Sequence, residues 1–117
     1  MARLSTHVLD VARGIPAKGV VIELHFLQGN ERRFVITMKT NQEGRTDVPL
    51  VSADRIETGT YELTFHAADY FRSTGVVLDE PPFLGQVIVR VGLSDPAGHY
   101  HVPLLLSPYS YSVYRGS

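Results

Sequence analysis

Histidine 7 is the first residue of this sequence that could take part in chemistry. The ordinary pKa of histidine, about 6.5, suits proton transfer near neutral pH, and the chain contains five histidines. His7 lies in the segment LSTHVLD, where alternation places its side chain on the same face as Ser5 and Leu9. A hydrogen-bonded histidine on a half-buried strand is the ordinary interpretation of this position, and a proton-transfer group is the functional one.

Four more histidines are distributed along the chain. His99 and His101 are two residues apart in one apolar segment, so their side chains point the same way, about 6.6 Å apart along a strand. They could form a metal pair, but zinc needs three or four ligands, and no cysteine or close carboxylate accompanies them. The alternative is that one of them transfers a proton. His25 and His66 fall on polar faces, and we expect both to face solvent.

Arginine 45 and the C-terminal segment are the other candidates. Arg45 follows a turn glycine in TNQEGRTDVP, where most arginines are simply solvated, although its fork of donors also suits planar ligands with several carbonyl oxygens. The segment 99–117, HYHVPLLLSPYSYSVYRGS, stays apolar and aromatic almost to its last residue, whereas chain ends are usually loose. We find no phosphate-binding loop, serine-hydrolase elbow or zinc-protease motif. The residues alone therefore do not define a reaction.

Composition limits the class of protein. The 117 residues are 44% hydrophobic and 20% charged, which fits a single globular domain over residues 1–117. A net charge of −1 gives no electrostatic reason to expect nucleic acid or a membrane surface as partner. The absence of cysteine excludes disulfides and thiolate metal sites. We expect a cytoplasmic protein, because the first residues lack the apolar region of a secretion signal; peroxisomal import stays open for a eukaryotic source.

Short segments with period-2 alternation dominate the sequence and predict strands. The segments are 4–11, 20–26, 32–40, 60–67, 85–92, 99–107 and 111–116. Within 32–40, the pattern places Phe34, Ile36 and Met38 on one face. Only 67–75, which ends at Gly75, is predicted to be helical. Many short strands at regular spacing predict an all-β sandwich.

The last two predicted strands are apolar or aromatic on both faces. A strand on the outside of a lone sandwich would alternate with polar residues. This pattern predicts that the segment 99–117 is buried against another subunit.

Three stretches together resemble the 5-hydroxyisourate hydrolases, the enzyme branch of the transthyretin-like proteins. They are LSTHVLD, TNQEGRTD and the C-terminal HYHVPLLLSPYSYSVYRGS, whose final Tyr-Arg-Gly-Ser is the most specific tag. The resemblance covers essentially the whole chain. One departure is Glu43, where the family often has aspartate before Gly-Arg; since that residue belongs to the turn, the change puts little in doubt.

The resemblance implies a transthyretin-like two-sheet β-sandwich of about eight strands with one short helix, assembled as a homotetramer. It implies hydrolysis of 5-hydroxyisourate, the product of urate oxidase, by opening of the six-membered ring at an amide bond. The product is 2-oxo-4-hydroxy-4-carboxy-5-ureidoimidazoline, and neither a metal nor an organic cofactor is implied. The catalytic residues by resemblance are His7, Arg45 and His101. The substrate-binding residues by resemblance are His7, Arg45, Tyr114 and Ser117, and a contribution from His99 is left open.

Two other functions are compatible with the same fold class. A transthyretin-type carrier would have a ligand channel without catalysis. A secreted carrier would be expected to have a signal peptide and to lack the set of His7, Arg45, His101 and the terminal Tyr-Arg-Gly-Ser. An adhesion or scaffolding sandwich would give no reason for a polar cluster in an apolar setting. The residues that are present favour the hydrolase.

Overall fold

The computed structural model describes all residues 1–117 and contains nine strands and one short helix. The elements are β1 (Ala2–Asp10), β2 (Ile15–Pro16), β3 (Val21–Gln28), β4 (Glu31–Lys39), β5 (Val51–Ala53), β6 (Gly59–Phe65), α1 (Ala67–Ser73), β7 (Val87–Leu93), β8 (His99–Leu106) and β9 (Tyr111–Val113). One sheet has the order β2-β1-β8-β9, with β5 also paired to β1, and the other has the order β4-β3-β6-β7. The predicted two-sheet sandwich with one short helix is confirmed.

The core lies between the two sheets and is built by the alternation seen in the sequence. Leu4 and Val8 of β1, Leu24 of β3 and Leu104 of β8 are completely buried. Each such side chain contributes roughly 1.5–3 kcal/mol to folding by leaving water. Because successive residues of a strand point to opposite faces, burying the even-numbered residues of β1 leaves its odd-numbered residues on the outer face of the sheet.

The central pair of the first sheet is parallel and joins the two ends of the chain. In the register of β1 and β8, Arg3 pairs with His99 and Ser5 pairs with His101. The hydroxyl of Thr6, on the core side, donates to the carbonyl of Val102 at 2.6 Å. The pairing therefore places polar side chains of both termini next to each other on the outer face.

The helix is docked on β1 by a buried polar contact. Tyr70 and Phe71 of α1 are buried, and the Tyr70 hydroxyl donates to Oδ2 of Asp10 at 2.8 Å. Burial first, and then this bond, raise the pKa of Tyr70 to about 12. Gly75 adopts φ 93° just after the helix, which is the conformation that favours glycine at a helix end, so the predicted stop is confirmed.

The strand pattern departs from the prediction at Phe34. A β-bulge shifts the register between β3 and β4, so that Leu24 pairs with Ile36 while His25 pairs with Phe34. The extra residue turns Phe34 to the outer face, where 56% of it is exposed, whereas Ile36 and Met38 pack against the core. The prediction that these three residues share a face is wrong for Phe34.

The structure differs from the sequence-based expectations in three further ways. The two-residue β2 and the three-residue β5 were not predicted, because they are too short to show alternation. The last strand ends at Val113, so the predicted extension to Gly116 is wrong. Nor is His66 solvent-facing: its side chain is 20% exposed, and Nε2 lies 2.5 Å from a carboxylate oxygen of Glu23. His25 is half-buried, with its ring packed edge-on against Phe34.

The only helix of the chain is seven residues long and therefore could not cross a membrane.

Candidate functional site

The turn that carries Arg45 is held by hydrogen bonds within itself and by one backbone hydrogen bond to β1. Asn41 closes the turn, because its side-chain oxygen accepts the backbone N–H groups of Glu43, at 2.9 Å, and Arg45, at 3.2 Å. The carbonyl of Gly44 then accepts the N–H of Val8 at 2.8 Å. Gly44 has φ 77°, and a Cβ atom there would lie 2.3 Å from the Val8 carbonyl oxygen, so only glycine fits.

The same turn fixes the imidazole of His7. Nε2 of His7 lies 2.8 Å from the backbone carbonyl of Glu43, and the backbones of His7 and Arg45 form an isolated bridge. Since a carbonyl oxygen only accepts hydrogen bonds, Nε2 carries the hydrogen, and the free lone pair of neutral His7 is on Nδ1. Glu43 contributes a backbone carbonyl while its side chain is exposed, which explains why aspartate or glutamate fits this position.

The imidazole of His101 contacts the neighbouring strand. Its Nδ1 atom lies 2.8 Å from the Ser5 hydroxyl oxygen. Burial lowers the pKa of His101 below its ordinary value of 6.5, and the positive charge of Arg45 lowers it further. Charge on His7 and Arg3 acts in the same direction. His101 is therefore neutral at pH 7 and can act as either a hydrogen-bond donor or a proton acceptor.

The C-terminal residues fold back over His101. The N–H of Gly116 donates to the His101 carbonyl at 2.8 Å. A Cβ atom on Gly116 would lie 2.6 Å from Cδ2 of His101 and 3.2 Å from Cγ of Pro103, so the glycine backbone packs directly on the imidazole. Next to it, the Arg115 guanidinium lies 4.5 Å from the centre of the Tyr100 ring, a cation–π contact. The chain end is thus ordered by contacts within its own chain.

Arg45 and His101 both line a cavity of about 320 Å³, whereas His7 lies beside it and is not part of its lining. Its lining residues are Arg3, Ser5, Arg45, Pro49, His99, Tyr100, His101 and Ser117. The lining has no acidic side chain, and neither Arg3 nor Arg45 forms an ion pair with an acidic side chain. The cavity therefore suits an electron-rich, oxygen-bearing ligand.

The structure brings together some of the predicted site residues and not others. Arg45, His101 and Ser117 line one cavity, and His7 is held beside Arg45 by the backbone bridge. Tyr114 instead lines a second cavity of about 350 Å³, next to His101 and Arg115, and is 57% exposed. A single chain therefore does not place Tyr114 against Arg45.

Three contributors to the site were not predicted from the sequence. They are the Arg3 side chain, the Ser5 hydroxyl and the Glu43 carbonyl. Period-2 spacing places Arg3 and Ser5 on the face of His7, which is the signal that could have identified them. Their contact with β8, almost a hundred residues away, depends on strand pairing that alternation does not reveal.

His99 and His101, the possible metal pair, are not joined by further candidate ligands. No group of three or more histidine, cysteine or acidic side chains is arranged to hold an ion. Nε2 of His99 bonds the backbone carbonyl of Met1, while Nδ1 of His101 bonds Ser5. Both imidazoles thus have partners within the protein.

Comparison with known proteins gives full-length matches. The model of the HIUase/Transthyretin family matches residues 4–116. A protein of Rhizobium meliloti named 5-hydroxyisourate hydrolase 2 is 57% identical over 115 residues, which cover 98% of this chain and 96% of that protein. The structure of Klebsiella pneumoniae 5-hydroxyisourate hydrolase is 30% identical, with a TM-score of 0.83 and complete coverage of both chains.

Sea bream transthyretin, solved in complex with thyroxine, is also similar. It is 26% identical, with a TM-score of 0.84 and coverage of 97% of this chain and 93% of that one. The hydrolase and the transthyretin thus match the backbone equally well, so the backbone alone does not separate the two. The family match and the full-length relative together show that the chain belongs to the HIUase/Transthyretin family.

Proposed function

We propose that this protein hydrolyses 5-hydroxyisourate, opening its six-membered ring at an amide bond. The observation that carries the proposal is the cavity in which Arg45 and His101 meet, with His7 held at Arg45 by the same turn. A cavity lined by Arg3, Arg45 and His101 suits a flat substrate rich in carbonyl oxygens. The 57% identity to a protein named 5-hydroxyisourate hydrolase 2 supports the same substrate.

In the proposed reaction, His7, His101 and Arg45 each have a role. One histidine takes a proton from the attacking water as the water oxygen bonds to a ring carbonyl carbon. The bond between that carbon and the ring nitrogen then breaks, and the nitrogen takes up a proton. Arg45 donates hydrogen bonds to substrate oxygens and stabilises the negative charge that develops on the attacked carbonyl. No step requires a metal, so a chelator is expected to leave the rate unchanged.

A homotetramer is part of the proposal. β9 is the edge strand of its sheet, and the tyrosines around it are exposed in a single chain, 45% for Tyr111 and 57% for Tyr114. Covering them with a second copy would bury aromatic surface, and self-complementary patches usually close into assemblies with two-fold axes. In such an assembly, we propose that Tyr114 and Ser117 bind substrate. Sedimentation showing a stable 13 kDa monomer at micromolar concentration would contradict this part.

The test of function is direct. 5-Hydroxyisourate is generated in place by urate oxidase, and the loss of its absorbance is followed with and without the protein. We expect the protein to accelerate this loss. A rate equal to the spontaneous one, together with saturable binding of an aromatic ligand, would instead support the carrier function.

The cytoplasm is the proposed compartment, in keeping with the composition of the chain. Fractionation of cells that express the full-length protein, followed by immunodetection, tests this proposal. Recovery in a membrane or secreted fraction would contradict it.

A further inference from the structure

The hydroxyl of Ser5 has one hydrogen-bond partner in the protein, Nδ1 of His101, at 2.8 Å. The two residues are direct partners in the parallel register of β1 and β8, so the backbone fixes their separation. Both side chains lie on the outer face of the sheet and line the cavity with Arg45. Ser5 is thus placed to act on His101 at the edge of the cavity.

The orientation of the His101 ring is fixed from two sides. Nδ1 faces Ser5, and Cδ2 faces the backbone of Gly116, where even a methyl group would lie 2.6 Å from it. Rotating the ring by half a turn would exchange these atoms, losing the hydrogen bond to Ser5 and packing a polar nitrogen against the terminal backbone. The ring therefore has one favoured orientation.

The direction of the hydrogen bond is coupled to the tautomer of His101. A hydroxyl group can donate or accept a hydrogen bond, so the tautomer of His101 sets the direction, and Nδ1 is the one partner that the chain offers the Ser5 hydroxyl. A neutral imidazole has one nitrogen with a hydrogen and one without. If Ser5 donates to Nδ1, the hydrogen of His101 is on Nε2.

We infer that Ser5 is a positioning residue that holds His101 in the Nε2–H tautomer, as a hydrogen-bond donor rather than a proton acceptor. A neutral imidazole can stabilise a developing oxyanion by donating N–H, in the manner of a preorganised donor. His101 then assists Arg45 at the attacked carbonyl oxygen.

Proton transfer falls to His7 under this assignment. Nε2–H of His7 donates to the Glu43 carbonyl, so Nδ1 holds the free lone pair. This nitrogen takes the proton of the attacking water and returns it to the ring nitrogen as the carbon–nitrogen bond breaks, which leaves both histidines neutral at the end of the cycle. The kinetic consequence rests on the proposed function, whereas the tautomer of His101 does not.

The first test is nitrogen-15 NMR of the full-length protein at pH 7, in which the two imidazole nitrogens differ strongly in shift according to protonation. The His101 signals are assigned by their absence from His101→Gln. We expect Nδ1 of His101 to be unprotonated in the wild type and in Ser5→Thr, and a mixture of tautomers in Ser5→Ala. An unprotonated Nε2 in the wild type, a doubly protonated ring, or an unchanged tautomer in Ser5→Ala would overturn the inference. The wild-type spectrum decides even if Ser5→Ala fails to fold.

The second test is kinetic. Ser5→Ala is expected to lower kcat about 10- to 100-fold, by analogy with the loss found when the partner that orients a metal-bound imidazole is removed. KM should stay close to the wild-type value, and Ser5→Thr should restore kcat. The matched control is Ser73→Ala, which removes a hydroxyl that bonds only a backbone carbonyl within α1. Full kcat in Ser5→Ala would refute the role of Ser5, whereas no turnover in the wild type would refute the proposed function and leave the NMR test standing.

Discussion

Replacing Gly116 by alanine tests whether the chain end holds His101 in place. The added Cβ atom would lie 2.6 Å from Cδ2 of His101 and 3.2 Å from Cγ of Pro103. Optimal separations between carbon atoms are about 3.5–4.0 Å, so the closer contact is short by about 1 Å. Pro103 is buried in β8, so the strain is relieved by moving the imidazole or the terminal residues by about that distance.

A displacement of this size has a large effect on rate and a small one on folding. Misplacing a catalytic group by about 1 Å can reduce the rate about 10²-fold. The core is expected to stay intact, because Gly116 follows the end of the last strand at Val113. The predicted outcome for Gly116→Ala is therefore a reduction of kcat on the order of 10²-fold with an almost unchanged melting temperature.

The assay is the loss of 5-hydroxyisourate absorbance, accompanied by a thermal melt followed by circular dichroism. Gly85→Ala is the matched control, because a Cβ atom there meets nothing within 4 Å and should leave the rate unchanged. Wild-type kcat in Gly116→Ala would refute the claim that the terminal backbone fixes His101. Equal losses in both variants would show that the effect is not specific to this contact.

Four other outcomes follow from the same structure. Deleting Tyr114–Ser117 should abolish turnover while the circular dichroism spectrum stays that of a β-sandwich, since every strand ends before this segment; full turnover would remove the terminus from the site. Tyr70→Phe should lower the free energy of unfolding by about 1–3 kcal/mol in chemical denaturation, because buried Asp10 loses a donor. The wild type should also lose stability between pH 10 and about 12, since the pKa of Tyr70 is raised in the folded state; Tyr70→Phe should show a smaller loss, because the pKa of Tyr61 is raised as well. The NMR titration midpoint of His101 should lie below 6.5 and should rise in Arg45→Gln, because burial and that positive charge both lower its pKa; an unchanged midpoint in the variant would contradict the electrostatic contribution.

Alternation predicted the core because burial in a two-sheet sandwich depends mainly on which face a residue occupies. Val20, Ile22 and Leu24 are completely buried, as their spacing indicates. The same rule failed at Phe34, where one extra residue in a bulge reverses the faces. A bulge is set by pairing with the neighbouring strand, so the pattern of one strand does not reveal it.

Short motifs predicted which residues form the candidate site. The geometry of the site depends on pairings between distant residues, which the motifs do not show. The resemblance supplied His7, Arg45 and His101, but the sequence gives no indication that Ser5 pairs with His101 across the parallel strands. The ordered chain end was predicted as a subunit contact. In the structure the same segment first packs on its own His101 through Gly116, which the isolated tail sequence could not show.

The turnover of Arg45→Gln tests the central claim most directly. Arg45 lies on an exposed turn, and its backbone bonds to Asn41 are unaffected by the side chain, so the variant should fold and assemble as the wild type does. Arg55→Gln, at an exposed arginine outside the cavity, is the matched control. The account predicts that Arg45→Gln loses about 10²- to 10³-fold in kcat for 5-hydroxyisourate, the usual effect of removing one donor to a developing oxyanion. Wild-type turnover in Arg45→Gln would contradict it and show that the ring is opened elsewhere.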